Sequence, residues 1–178
     1  MQINLIYDAS VNNAPPAFQS AMAAAAQFLD NLISDPITVN VDVGWGEVAG
    51  QPVGPNDAYF SFSGVQQTSL SYTQLKAILV AHETSATDAE ALDSLPTIDP
   101  TNGGKFIITP AQEKAWGMLP SNGSELDGSI GFNSTFNFNY NPANPTPGET
   151  DFFGTAVREL THRAGLGNLH RTIGGVSA

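Results

Sequence analysis

Apolar and polar residues alternate along residues 2–7 (QINLIY) and again along 37–43 (ITVNVDV), the period of two expected of a β-strand. Between them Phe18, Met22, Ala25, Ala26, Leu29, Leu32 and Ile33 recur at helical spacing. Asn12 and Asn13 ahead of Pro15 and Pro16 suit a helix start, and Ser34-Asp35-Pro36 suits its end. Strand, long amphipathic helix and strand at these lengths predict a parallel βαβ unit.

Further along, residues 44–57 read as a Gly/Pro-rich loop carrying Trp45, and residues 71–81 and 87–95 as helices. Thr109-Pro110-Ala111-Gln112 combines a capping threonine, a proline at the first helical position and a glutamine three residues after the cap, which predicts a short helix ending at Gly117. Residues 128–138 (GSIGFNSTFNF) alternate again, as one bent strand or a hairpin. Residues 141–150 (NPANPTPGET) are too rich in proline for regular structure. Asp151 then stands as the cap of a last helix with Phe152, Phe153, Ala156, Val157 and Leu160 on its apolar side. No repeat and no interior linker divides the 178 residues, so the expectation is one α+β domain.

Composition narrows the function. A net charge of −11 argues against nucleic acid, whose phosphates need a basic surface. No apolar run is long enough to span a membrane. The absence of cysteine removes disulfides, thiolate metal sites and a cysteine nucleophile, so a zinc ion would need His, Asp or Glu. No basic stretch followed by an apolar one opens the chain as a signal peptide would. All three arginines, Arg158, Arg163 and Arg171, lie near the C-terminus, which is therefore locally basic.

Zinc peptidases use H-E-x-x-H because residues four apart share a helix face, so that two imidazoles reach one metal beside a glutamate base. Residues 82–86 (HETSA) lack the second histidine and read as a helix end, with His82 structural or exposed. Residues 158–162 (RELTH) sit in a richer setting, DFFGTAVRELTHRAG over 151–165. Its acidic cap, two aromatics, small-residue helix and following glycine resemble the active-site helix of the zincins, in a metzincin-like form. Residues 126–134 (LDGSIGFNS) resemble the strand before that helix, which in such enzymes is the edge that pairs with substrate. Residues 3–10 (INLIYDAS) and the helix after them look like the N-terminal half of a bacterial zinc-metalloprotease-like family.

The resemblance implies a zincin-like fold: a twisted mixed β-sheet with a long N-terminal helix and a C-terminal active-site helix, in a secreted protein acting on peptides or proteins. It assigns Glu159 as the catalytic base and His162 and His170 as zinc ligands. The departures bear on activity. Position 158 holds Arg158, a permanent cation, where the first histidine belongs. The third ligand is expected at Asn168, with His170 offset by two residues, and no methionine follows the helix. Zinc binding is therefore expected to be weak or lost, and the domain to be shortened or eroded at its end. Two other readings stand beside this one. One is a non-catalytic secreted binding or surface module, with residues 93–104 and 139–151 as oxygen-rich loops for Ca²⁺. The other is an α+β domain in which RELTH is accidental.

Overall fold

The computed structural model describes residues 1–63 and 67–163. In chain order these form β1 (Gln2–Tyr7), a 3₁₀ turn (Ala9–Asn13), α1 (Ala17–Leu32), β2 (Thr38–Trp45), β3 (Glu47–Val48), β4 (Gln51–Pro52), β5 (Tyr59–Ser63) and β6 (Thr68–Leu70). There follow α2 (Tyr72–Ala81), α3 (Ala86–Asp93), β7 (Phe106–Ile108), α4 (Pro110–Ala115), β8 (Gly128–Phe132), β9 (Phe138–Asn139), β10 (Thr150–Asp151) and α5 (Phe152–Arg163). This is a mixed α+β fold. The main sheet has the order β1-β2-β8-β5, with the first two pairings parallel and β5 antiparallel to β8.

Alternation along β2 and β8 divides the two faces of the sheet. Val39, Val41, Val43, Trp45, Ile130 and Phe132 join Phe18, Met22, Ala25 and Leu29 of α1 and Phe152, Ala156 and Leu160 of α5 in one core. Phe152 is its hinge point, with ring centroids 4.8 Å from Phe132, 4.8 Å from Tyr140, 5.2 Å from Phe18 and 5.4 Å from Phe138. Asn40, Asp42, Gly44, Ser129 and Gly131 alternate with the core residues and turn the other way. There the β3–β4 hairpin comes down onto the glycines. A Cβ on Gly131 would stand 2.0 Å from the Glu47 carbonyl oxygen, and one on Gly44 2.4 Å from it, so both positions need glycine for close approach.

The expected βαβ unit is present, with β1 and β2 adjacent and parallel around α1. Three expectations change. The loop expected at residues 44–57 contains the β3–β4 hairpin, and β2 runs on to Trp45. The strand expected across 128–138 stops at Phe132, because Asn133 turns the chain: its Oδ1 accepts from the Thr135 amide at 2.9 Å while its Nδ2 donates to the Gly54 and Asp57 carbonyls, each at 2.9 Å. Finally, β8 is no edge. It is paired on both sides, by β2 and by β5, and among the described residues β1 and β5 are the open edges of the sheet.

A smaller cluster of Leu70, Tyr72, Leu75, Phe106 and Ile108 organises the segment between β5 and β8. Its last helix, α4, starts as its sequence predicts, in a buried capping box: Thr109 accepts from the Gln112 amide at 3.3 Å, and Gln112 accepts from the Thr109 amide at 3.0 Å. Replacing Thr109, 1% exposed, by alanine should cost about 1–2 kcal/mol. In urea denaturation this should appear as a lower midpoint at unchanged slope.

Candidate functional site

Asp151 starts α5 as its position suggests, its Oδ2 accepting from the Gly154 amide at 3.1 Å. A Cβ at Gly154 would lie 2.5 Å from that oxygen, so the small residue makes room for the cap. The apolar side of the helix, Phe152, Ala156 and Leu160, is buried against α1 and the sheet. That anchoring fixes the helix rotation and carries Arg158, Glu159 and His162 to known places.

Glu159 is 2% exposed, unlike an ordinary helix glutamate. Its Oε1 accepts from Arg158 Nη1 at 2.8 Å. The same nitrogen donates to the Tyr59 hydroxyl, and the guanidinium carbon lies 5.2 Å from the centre of the Tyr59 ring. The ion pair is asymmetric, with a sheltered carboxylate and an arginine side chain 56% exposed. His162 is half-buried one turn beyond Arg158, at the i, i+4 spacing that shares a helix face. His170, the other expected ligand, lies outside the described residues.

Tyr59 had not been singled out from the sequence. It belongs to the edge strand β5, opposite Phe132 in the ladder, and so stands on the α5 side of the sheet. The run Tyr59-Phe60-Ser61-Phe62-Ser63 carries the signal that could have found it, since aromatic and small polar residues alternate there with period two. The site thus joins one helix to the β5 edge of the sheet.

Arg158 does not fit the place of a first zinc ligand. The guanidinium has no lone pair to give a metal, and it holds a fixed positive charge 2.8 Å from the carboxylate of the expected base. Among the described residues no group of three or more His, Asp or Glu side chains is placed to hold a metal ion.

Other polar positions have local duties. His82 is exposed and ends α2, and it lines a cleft of about 400 Å³ with Asp35, Asp88 and Trp116. In the loop of residues 93–104, Asp99 accepts from the Thr101 amide at 2.8 Å, the Thr101 hydroxyl at 2.6 Å and the Gly103 amide at 3.2 Å. Those bonds, the Thr101 hydroxyl first, hold its carboxyl below the usual range. In the loop of residues 139–151, Asn139 Nδ2 donates to the Asn144 carbonyl at 2.8 Å and the Asn141 side chain accepts from the Ala143 amide at 3.2 Å. Both loops thus close on their own backbone. No helix among the described residues is long and apolar enough to cross a membrane.

No family model, no curated protein and no solved structure matches this chain, so the reading of the site rests on its own geometry.

Proposed function

We propose that this chain is a zincin-like, metallopeptidase-derived domain that holds extended peptide without cutting it, in a secreted setting. The observation that carries the reading is the Arg158–Glu159 pair docked on Tyr59 of β5. A mixed sheet with a long N-terminal helix and a C-terminal helix packed on one face is compatible with the fold that the resemblance of residues 151–165 implies. Among the described residues no strand pairs with the outer side of β5, which offers backbone N–H and C=O groups at the spacing an extended peptide needs. Arg158 lies beside that edge, and among the described residues one of its nitrogens is engaged, so its other donors suit a peptide carbonyl or terminal carboxylate.

Three features favour binding over hydrolysis. The first ligand position is a cation, the candidate base is held by that cation, and the half-buried His162 is the single imidazole of α5. An acidic chain without cysteine, rich in Asn, Gly, Ser and Thr, suits a soluble extracellular module.

The test pairs a cleavage assay with a binding assay. Casein and quenched fluorogenic peptides should show no hydrolysis that a chelator suppresses. Extended peptides should bind the wild-type protein, and Arg158→Gln should weaken them about tenfold or more through loss of a charge-assisted hydrogen bond. Chelator-sensitive cleavage by the wild-type chain would return the site to catalysis. Equal peptide affinity in wild type and Arg158→Gln would remove Arg158 from the binding surface.

A further inference from the structure

At the far ends of β1 and β2 a second group of ionisable side chains meets, apart from the α5 site. Asp8 follows β1, Asp42 lies on β2 and Glu47 opens β3, and all three line one shallow cavity with Ser10 and Gly50. Glu47 Oε1 stands 2.6 Å and Asp8 Oδ2 3.0 Å from the point a Gly44 Cβ would occupy, so the missing side chain of Gly44 is what lets the two carboxyls approach. The two carboxyls thus converge on the same point in space. Ser10 links both: its hydroxyl bonds Asp8 Oδ1, lies 3.5 Å from Glu47 Oε1, and accepts from the Trp45 amide at 2.8 Å. The other Glu47 oxygen accepts from the Gly50 amide within the hairpin turn.

Two ionised carboxylates have no hydrogen to give each other, so a bond between them requires one proton. We propose that a single proton shared by Asp8 and Glu47 is a latch that fastens the β3–β4 hairpin onto the ends of β1 and β2, closed in mild acid and released as that proton leaves. The hairpin matters to the sheet beneath it. It buries Val48 to 1% exposure over Gly131, and the Gly46 amide donates to the Phe132 carbonyl at 2.6 Å. Phe132 and Gly131 pair in turn with Tyr59 and Phe60 of the edge strand. Opening the latch therefore loosens the support behind the strand that carries Tyr59.

The surroundings set the direction of the pH response. Glu47 is pushed above its ordinary value of 4.5, first by its hydrogen bond to Asp8 and then by burial. Asp8 is drawn below its ordinary 3.8: burial alone would raise it, but the bonds from Glu47 and Ser10 outweigh burial. Asp42, facing the pair from β2, is raised by burial and then by the Asp8 charge. The neighbouring part of β8 presents Ser129 and Gly131, neither of which ionises near neutrality, and among the described residues the charges acting on the pair are negative. The Glu47 contribution is complete below its unfolded value and is lost as pH climbs through its raised folded value. The Asp8 contribution is present above its unfolded value and is lost when pH falls through its lowered folded value. The latch is strongest between those limits and weakens toward neutrality; its two proton steps belong to the pair rather than to either residue.

Amide hydrogen exchange on the full chain at pH 5 and pH 8, corrected for intrinsic rates, tests this at Val53, whose N–H bonds the Gly46 carbonyl across the hairpin at 3.1 Å. In wild type its protection should fall about tenfold between the two pH values. Glu47→Gln donates to Asp8 at every pH, so its protection should stay level. Glu47→Ala, with no bond to make, should be weakly protected at both pH values. A wild-type hairpin equally protected at both, a Glu47→Gln variant that loses protection as wild type does, or a well-protected Glu47→Ala hairpin would each overturn the proposal.

Discussion

Lys114→Met should destabilise the protein by about 3–5 kcal/mol, the range found when one partner of a buried ion pair is removed. For a domain of this size that is a fall in Tm of roughly 10 °C. The side chains of Lys114 and Asp127 are 3% and 1% exposed, and Lys114 Nζ lies 2.6 Å from Asp127 Oδ2. The ammonium group also donates to the Thr38 carbonyl at 2.9 Å and the Gly123 carbonyl at 3.4 Å, so its three hydrogens have three acceptors. Asp127 Oδ2 in turn accepts from the Asn40 amide at 2.7 Å. Asn40 completes the ring, donating from Nδ2 to the Gly123 and Glu125 carbonyls at 2.8 and 3.0 Å.

This network ties α4 to the start of β2 and the approach to β8. Methionine fills the space of the lysine stem but leaves a carboxylate buried with the Asn40 amide as its neighbour. The larger part of the loss should come from that stranded charge rather than from the missing bonds. The double variant Lys114→Met/Asp127→Asn, which keeps an acceptor for Asn40 and removes the charge, should recover about half of the loss. Thermal denaturation of the single and double variants checks both statements. If the double variant is no more stable than Lys114→Met, the cost lies in packing and not in the charge.

The same network marks the limit of what was legible in the chain. α1, β1, β2 and the start of α4 can be read from local signals: apolar spacing in Phe18, Met22, Ala25 and Leu29, alternation in residues 37–43, and the Thr109-Pro110-Gln112 cap. These patterns act within a few residues, and tertiary contacts reinforce them. Lys114 reads as a solvated helix residue and Asp127 as part of a turn, because the fact that matters about each is the other. Asp8 and Glu47 hide for the same reason, 39 positions apart, and nothing local announces their shared proton.

The site itself was half legible. Residues 151–165 named Arg158, Glu159 and His162 together, since a helix places them by local geometry alone. The burial of Glu159 and the docking of Arg158 on Tyr59 depend on strand order, which periodicity does not encode. Residues 126–134 were expected at the edge because they resemble the strand that precedes the active-site helix in zincins. Their small residues answer to tertiary packing instead: at Gly131 the β3–β4 hairpin crosses directly overhead.

Arg158→His should change metal binding more than any other single substitution in the chain. It removes a positive charge that repels a divalent ion and adds an imidazole at the i, i+4 position to His162. Zinc affinity should rise by on the order of a hundredfold or more, at or above the upper end of what outer-shell changes alone produce. Metal content after equilibration with zinc and dialysis measures this directly. Two controls separate the causes. Arg158→Ala removes the charge without adding a ligand and should bind little more than wild type. Arg158→His/His162→Ala should lose the gain, because one imidazole is then all that α5 offers.

Glu159 gives an independent readout. In wild type its carboxylate is held by Arg158 at 2.8 Å. In the histidine variant that contact is lost while the helix stays anchored through Phe152, Ala156 and Leu160, so stability should change far less than metal content does. If Arg158→His keeps its fold and takes up no more zinc than wild type, α5 is not a degenerate metallopeptidase helix. The Arg158–Glu159–Tyr59 contact would then stand as a structural tie between the helix and the edge of the sheet.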